Sequence, residues 1–180
     1  LHSFPTRRSS DLIDQIKERA LQGDARAQND WGVLHQLGKA VPQDDVEAVR
    51  WYRRAAERNF VLAQNNLGWM YENARGTERD YAGALFWYKL AAQSGHVAAQ
   101  HNLASLYERG LGLPANPMLA TEWYERAIRQ GDETARDGLA RVSGTTAAKA
   151  EFDEKLAQKR AALATPGFLE RLGIAATAAR

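Results

Sequence analysis

The sequence contains no cysteine, so neither a disulfide framework nor a thiolate metal site is possible. No stretch approaches the roughly 20 consecutive apolar residues that a transmembrane helix needs, which argues against membrane insertion. Charge of one sign is not in excess: 24 Lys and Arg face 22 Asp and Glu, and a net charge of +2 is too small for a general nucleic-acid surface. What is present, 44% hydrophobic residues in a chain of 180, suffices for one compact domain or one short repeat array.

The first twelve residues differ in character from the rest. Residues 1–12 read LHSFPTRRSSDL and can be back-translated into a common sequencing-adapter sequence. We interpret them as a read-assembly artefact, the alternative being a polar, disordered arm, and expect no contribution to the fold in either case. On this interpretation the natural N terminus is missing, so the lack of a signal peptide says nothing about localisation.

Self-similarity is the strongest signal in the chain. The pair Trp-Tyr recurs every 36 residues, at 51–52, 87–88 and 123–124. The same step joins further columns, among them Ala27, Ala63, Ala99 and Ala135; Gln28, Gln64 and Gln100; Ala48, Ala84 and Ala120; and His35, Tyr71 and Tyr107. So many columns in one register indicate a genuine structural repeat.

Each repeat unit has the pattern of two helices. The first carries apolar positions at i, i+4, i+7 and i+8, at Ala27, Trp31, Leu34 and His35. The second begins after a good N-cap, at Asp44, Asp80 or Asn116. It ends at a residue that tolerates the left-handed conformation, at Asn59, Gly95 or Gly131. Small residues at Gly32, Gly68, Ala104 and Ala140 favour close approach of neighbouring helices. Strand-like alternation is absent, so the predicted fold is all-α.

The flanks extend the array. Ile16 and Ala20 lie one period before Tyr52 and Ala56, which predicts the end of a preceding second helix that packs on the first repeat. At the other end, 132–142 resembles a fourth first helix, and the register breaks after Gly144. An amphipathic stripe at Ala148, Phe152 and Leu156 predicts a separate capping helix over 146–163 that shields the last repeat. We therefore predict a repeat array over 13–144, with repeats at about 20–55, 56–91 and 92–127 and a partial one at 128–144, followed by a capping helix and frayed tail over 145–180.

The motif behind these columns resembles a known family. The pattern Ala-x-Ala-Gln-x-x-Leu-Gly-x-x-Tyr, then Gly-x-Gly-x-x-x-Asp, then Ala-x-x-Trp-Tyr-x-x-Ala-Ala-x-x-Gly is similar to the Sel1-like repeat, a relative of the tetratricopeptide repeat. It is most complete over 61–95 and 96–131. The resemblance implies a right-handed α-α solenoid of about 3.5 repeats. It also implies a scaffold or adaptor that binds a protein or peptide in a bacterial signalling or envelope assembly, in the periplasm or the cytoplasm.

We find no constellation of residues that predicts catalysis. His96 and His101 are five residues apart, a poor helical spacing for a shared metal, and the loops at Gly38 and Gly110 lack the features of a phosphate-binding loop. Acidic residues are scattered over helix surfaces rather than paired. We therefore expect no enzymatic activity, cofactor or metal. Two alternatives stay open: an enzyme-like envelope protein acting on cell-wall material, and a structural accessory array of a larger, truncated protein.

The predicted binding surface lies on the first helices, which line the concave side in similar proteins. Positions opposite the repeat core predict the following partner-binding residues: Asn29, Val33, Asn65, Trp69, Glu72, His101, Ser105 and Glu108. Trp69 stands where the other repeats have valine and serine, so no shared packing role explains it, and tryptophan is favoured as an interface anchor. Asn29, Asn65 and His101 form a column able to bond a peptide backbone. The alternative is an ordinary polar face with one partly buried tryptophan. By contrast, the Trp-Tyr pairs recur in every repeat and are predicted to be core rather than a stacking ladder. The oligomeric state is left open.

Overall fold

The computed structural model describes residues 9–163, and within this range all regular secondary structure is helical. The helices are α1 (Ser9–Leu21), α2 (Ala25–Leu37), α3 (Asp45–Glu57), α4 (Val61–Glu72), α5 (Tyr81–Gln93), α6 (Val97–Arg109), α7 (Pro117–Arg129) and α8 (Ala135–Leu163). Residues 1–8 lie outside the described residues, as does the part of the predicted frayed tail that follows residue 163.

Consecutive helices pack against one another along the chain. The pairs α2–α3, α4–α5 and α6–α7 form three helical hairpins, and α3 packs on α4 and α5 on α6 to join them. Helix α1 packs on α2. This arrangement confirms the predicted α-α solenoid. The chain divides into two compact units, of which the larger ends at Leu139 and the second begins at Ala140.

The helix boundaries follow the predicted capping residues. Asp44 accepts from the amides of residues 46 and 47, Asp80 from that of residue 83, and Asn116 from that of residue 119, at 2.9–3.0 Å. These bonds satisfy amides that have no partner inside the helix. At the other ends, Asn59 and Gly95 have φ of 61° and 86°, which is the left-handed conformation expected there.

The tyrosines of the repeated Trp-Tyr pair form the centre of each hairpin. Tyr52, Tyr88 and Tyr124 are fully buried. A Cβ placed on Gly32 would lie 2.9 Å from the Tyr52 ring, and one on Gly68 would lie 2.7 Å from the Tyr88 ring. The predicted close helix approach is therefore present at both glycines.

The tryptophans of the pair are not equally buried, which corrects the prediction. Trp51 and Trp123 are each 7% exposed, whereas Trp87 is only partly buried. Guanidinium groups cover the outer tryptophans, with Arg54 4.5 Å from the Trp51 ring and Arg126 4.3 Å from the Trp123 ring. The equivalent residue beside Trp87 is a leucine, so this ring has no such cover.

Helix α1 packs as the sequence predicts. Ala20 is 1% exposed and forms a buried cluster with Ala27, Trp31 and Trp51, against which Ile16 also packs. The helix begins at Ser9, so it includes the last four residues of the segment that we interpret as an artefact.

The predicted interruption at Gly144 is absent. Helix α8 continues from Ala135 to Leu163, so the predicted fourth first helix and the predicted capping helix form a single element. One glycine inside a helix costs about 1 kcal/mol, which does not break a helix of this length. Ala135 and Val142 are buried, as expected for inward positions. The side chains of Ala148, Phe152 and Leu156 lie outside the described residues, and their capping role stays a prediction.

Candidate partner-binding surface

The predicted binding residues lie on α2, α4 and α6, which are equivalent helices of the three repeats. We call the outward side of these helices the first-helix face. The positions at Val33, Trp69 and Ser105 are all partly buried. Two exposed leucines flank them, Leu37 at 53% and Leu62 at 49% exposure. The face therefore carries accessible apolar surface in addition to the predicted polar groups.

Trp69 has a packing role that the sequence did not predict. Together with Val33, it packs against the buried cluster that joins α3 to α4, which includes Tyr52 and Leu67. The ring is thus anchored on the core on one side and accessible on the other. A tryptophan held in this way keeps a fixed orientation, which is favourable in an interface anchor because little side-chain entropy is lost on binding.

The asparagine column links successive repeats. The Asn66 amide donates to the Asn29 carbonyl oxygen at 3.0 Å, and the Asn102 amide donates to the Asn65 carbonyl oxygen at 3.2 Å. Asn29 is only 5% exposed, and its own amide donates to Asp30 at 3.2 Å. Asn29 is therefore committed inside the protein rather than available to a peptide backbone. Asn65 is more exposed, but its carbonyl oxygen is already used.

The predicted glutamates are also engaged within the fold. The Tyr88 hydroxyl donates to Glu72 at 2.9 Å, and the Tyr124 hydroxyl donates to Glu108 at 2.6 Å. Burial raises the pKa of the Tyr88 phenol, and the Glu72 carboxylate raises it further, so this group stays protonated and donates. Glu72 also accepts from Arg109 of the next repeat at 3.4 Å. Both glutamates thus hold the first helix to the second before any partner is considered.

His101 lies in an open cleft at the end of the third repeat. The cleft has a volume of about 560 Å³. Its wall is formed by α6 and by the turn before α8, with the lining residues Val97, Ala98, His101, Asn102, Gln130, Gly131, Asp132 and Thr134. His101 Nδ1 lies 2.8 Å from Asp132 Oδ2, and its ring meets the edge of Tyr124 at 5.5 Å between centroids. The imidazole is therefore fixed from two sides.

The groups around His101 do not form a nucleophile with a general base beside it. Burial raises the pKa of Asp132, but hydrogen bonds from Thr134 and His101 outweigh this and hold it below its usual value. A carboxylate only accepts, so the hydrogen of the His101 bond lies on Nδ1. The Thr134 hydroxyl donates to Asp132 at 2.6 Å and lies 3.5 Å from the same ring nitrogen, so the ring is not placed to activate it.

The sequence did not indicate Asp132 or Thr134 as part of a site. Asp132 aligns with the N-cap position of the first helices, where Asp24 stands in the first repeat, and its Oδ1 accepts from the amides of Thr134 and Ala135. The alignment of Asp132 with Asp24 was the one sequence feature that could have drawn attention to it. That alignment predicts a helix N-cap but does not predict a cleft.

Other kinds of site are not indicated by the part of the chain that the structure describes. No group of three or more His, Asp or Glu side chains there is placed to hold a metal ion. Over the same residues, no helix combines the length and apolarity needed to cross a membrane. The carboxyl pKa shifts that are resolved, at Asp24, Asp132 and Glu133, are all downward. A carboxyl group that acts as a general acid near neutral pH needs a raised pKa. No observation therefore favours the envelope-enzyme alternative.

A family model of the Sel1 repeat matches the chain three times in succession. The matched segments are residues 25–60, 61–96 and 97–132. They have the predicted period of 36 residues, and each begins five residues later than the predicted unit; the predicted partial unit at 128–144 stays a prediction. A comparison with curated proteins found no significant match.

Solved structures give the same picture. A protective antigen of uropathogenic Escherichia coli with an SLR fold is 36% identical, with a TM-score of 0.66 over 68% of this chain. The chain spans only 26% of that protein. A Sel1 repeat protein from Oxalobacter formigenes is 42% identical, with a TM-score of 0.64 over 72% of this chain and 97% of the other. Cysteine-rich protein B of Helicobacter pylori is similar in fold, with 19% identity and a TM-score of 0.57 over 73% of this chain and 97% of the other.

Proposed function

The chain belongs to the Sel1-repeat family, whose members are generally scaffolds for protein interactions, and from this premise we propose that it binds a protein or peptide on its first-helix face. The proposed setting is a bacterial signalling or envelope assembly, which is supported by the bacterial sources of the similar structures. The surface that we assign to the partner runs along α4 to the cleft at His101.

The observation that carries this proposal is the character of α4. Its sequence contains a single charged residue, Glu72, and that residue is already bonded to Tyr88 and Arg109. Leu62 and Trp69 are seven residues apart and so lie on the same side of the helix. An uncharged stripe with an anchored tryptophan in the central repeat has the composition of an interface core.

The cleft at His101 supplies the polar end of the proposed surface. His101 occupies the column of Asn65, one repeat further on, so the cleft continues the row of α4 residues. With Nδ1 bonded to Asp132, Nε2 is the ring nitrogen left for a partner. We expect Trp69 and Leu62 to contribute affinity and the cleft to contribute orientation.

The experiment uses peptides selected from a random library against the wild-type chain. We expect Trp69→Val to weaken binding by about 2 kcal/mol, roughly thirtyfold in Kd, measured by isothermal titration calorimetry. Valine already stands at the equivalent position of the first repeat, so this variant should remain folded, as circular dichroism checks.

The matched control is Phe86→Val, because Phe86 is an exposed aromatic residue on a different helix. It should leave the Kd of the peptides unchanged. Peptides whose affinity is indifferent to Trp69→Val, or a selection that yields no binder, would contradict the proposed surface.

A further inference from the structure

The second helices of the three repeats present an exposed stripe that no feature of the proposed function uses. On α5 this stripe consists of Ala82, Phe86, Lys89 and Gln93, all exposed. Phe86 is 55% exposed and meets the partly buried Trp87 edge-on at 4.9 Å between centroids. Lys89 is the only charged residue of α5. This surface, which we call the second-helix face, therefore has an exposed phenylalanine at its centre with one charged residue beside it.

The charges on either side of α5 have opposite signs at equivalent positions. Arg50 on α3 corresponds to Glu122 on α7, with Phe86 between them. One turn further along the helices, Arg53 corresponds to Glu125. All four of these charged residues are exposed.

The charges at equivalent positions of α3 and α7 are also opposite near the C-terminal ends of these helices. Near their N-terminal ends, the equivalent positions are apolar. Glu57 near the end of α3 corresponds to Arg129 near the end of α7, and both are exposed. Near the helix starts, Val46 corresponds to Met118, which are 49% and 79% exposed. At every charged position of the stripe, α3 and α7 thus carry opposite charges. At the apolar position, both helices carry an apolar residue.

From this pattern we infer that the second-helix face binds a second copy of the same chain. A two-fold axis parallel to α5 and lying in the interface places α3 against α7 of the partner copy, with the helices in the same direction. Arg50, Arg53 and Glu57 then each oppose a residue of opposite charge, and the symmetry repeats all three pairs. Phe86 meets its own copy on the axis. An axis across the helices at the level of Phe86 would instead set α3 against α3, with Arg50 opposing Arg50.

The apolar centre and the charged flanks have different roles in this dimer. Burial of Phe86 with Val46 and Met118 provides affinity, because it removes accessible apolar surface from water. The charged pairs are exposed and fix the register more than they add affinity. Three of these residues already have a partner of opposite charge in their own helix: Arg50 lies 2.5 Å from Glu47, Glu122 lies 2.6 Å from Arg126, and Glu125 lies 3.7 Å from Arg129. The intermolecular pairs add to these. The dimer should accordingly weaken as salt concentration rises.

Some groups in the dimer do not meet an opposite charge. Lys89 meets its own copy, and a flexible lysine side chain can turn outward to water. Arg54 faces Arg126 of the partner copy, but both guanidinium groups lie over tryptophan rings of their own helices, at 4.5 and 4.3 Å. These contacts direct the two arginines along their own chain.

Reciprocal charge reversal gives the sharpest test. One variant carries Arg50→Glu with Arg53→Glu, and the other carries Glu122→Arg with Glu125→Arg. In sedimentation equilibrium, each variant alone should associate roughly tenfold or more weakly than wild type, because both flanks become repulsive. Their equimolar mixture should recover the wild-type dimer, because the heterodimer restores all four pairs.

Further variants separate the dimer from unrelated effects. Phe86→Glu should weaken self-association by at least about tenfold. Leu21→Glu, at a residue that is 66% exposed on α1, should not change it. Circular dichroism confirms that each variant is folded. A wild-type chain that remains monomeric at about 1 mM overturns the inference, as does a dimer indifferent to Phe86→Glu or a variant mixture that stays monomeric.

Discussion

Replacing Tyr88 by phenylalanine removes one oxygen atom from the buried centre of the second repeat. The ring remains, so the packing against Gly68 is retained and no cavity forms. The change deletes the hydrogen bond from the Tyr88 hydroxyl to Glu72, which is 2.9 Å long and ends on a carboxylate whose side chain is 17% exposed. The measured loss is therefore that of one bond to a charged acceptor.

The first repeat supplies a matched comparison. Tyr52 is equally buried and donates from the same repeat position, but its acceptor is the neutral amide of Gln36 at 2.5 Å. Hydrogen bonds to charged groups contribute about 1.5–3 kcal/mol to stability, and those between neutral groups about 0.5–1.5 kcal/mol. We therefore expect Tyr88→Phe to cost about 2 kcal/mol and Tyr52→Phe about 1 kcal/mol.

Urea denaturation followed by circular dichroism measures both free energies of unfolding. Equal losses in the two variants would show that the Glu72 carboxylate does not strengthen its bond. A loss below about 0.5 kcal/mol for Tyr88→Phe would refute the claim that the tyrosine-to-acid bonds hold the second and third hairpins together.

Five further substitutions test other parts of the structure. Trp51→Ala should cost about 3–5 kcal/mol in unfolding free energy, and Trp87→Ala about 1 kcal/mol less because Trp87 is partly exposed. Thermal melting should show Gly76→Ala as strongly destabilising, by about 2–4 kcal/mol, since a Cβ there would lie 2.1 Å from a backbone oxygen of α3. At Gly95, which has open space but φ of 86°, the same change should cost only about 1 kcal/mol. The pKa of Asp132 is lower in the folded chain than its ordinary value of 3.8, so the ionised carboxylate stabilises the fold at pH values above 3.8. That stabilisation is lost as the pH falls through the pKa of the folded chain. Asp132→Asn should therefore destabilise at about pH 7 and show no difference from wild type toward pH 2 in urea titrations.

The period of 36 residues made the helices predictable because every repeat must solve the same local problems. Asp44 and Asp80 cap a helix wherever that helix begins, and Asn59 and Gly95 tolerate the left-handed turn wherever it ends. Such features depend on a few neighbouring residues. The packing of Ala20 was predictable for the same reason, since it follows from alignment with the next repeat.

The candidate surface was harder to predict because its bonds join distant residues. Asn29 is bonded to Asn66 across the repeat interface, and Glu72 is bonded to Tyr88 across the hairpin. Helical periodicity places Asn29 and Glu72 on the outward side but does not show which neighbour reaches them. Trp87 illustrates the same limit, because its exposure depends on whether the residue one turn away is an arginine or a leucine.

The sequence predicts a helix boundary at Gly144, whereas α8 is continuous there. The sequence indicates a boundary at Gly144 because the repeat register is lost there. Loss of register does not by itself stop a helix, because the backbone bonds continue unless proline, a left-handed residue or an alternative hydrogen-bond partner interrupts them. Ala135 and Val142 are buried without any need for a break between them and the following residues.

Photo-cross-linking at two residues of equal exposure tests the central claim, that a partner binds the first-helix face. Leu62 on α4 and Val46 on α3 are each 49% exposed in the single chain, so below the concentration at which the chain self-associates a diazirine amino acid at either position has the same access to solvent. With a selected peptide bound, the chain labelled at position 62 should cross-link to the peptide, and the chain labelled at position 46 should not. Cross-linking at position 46 with none at position 62 would contradict the account.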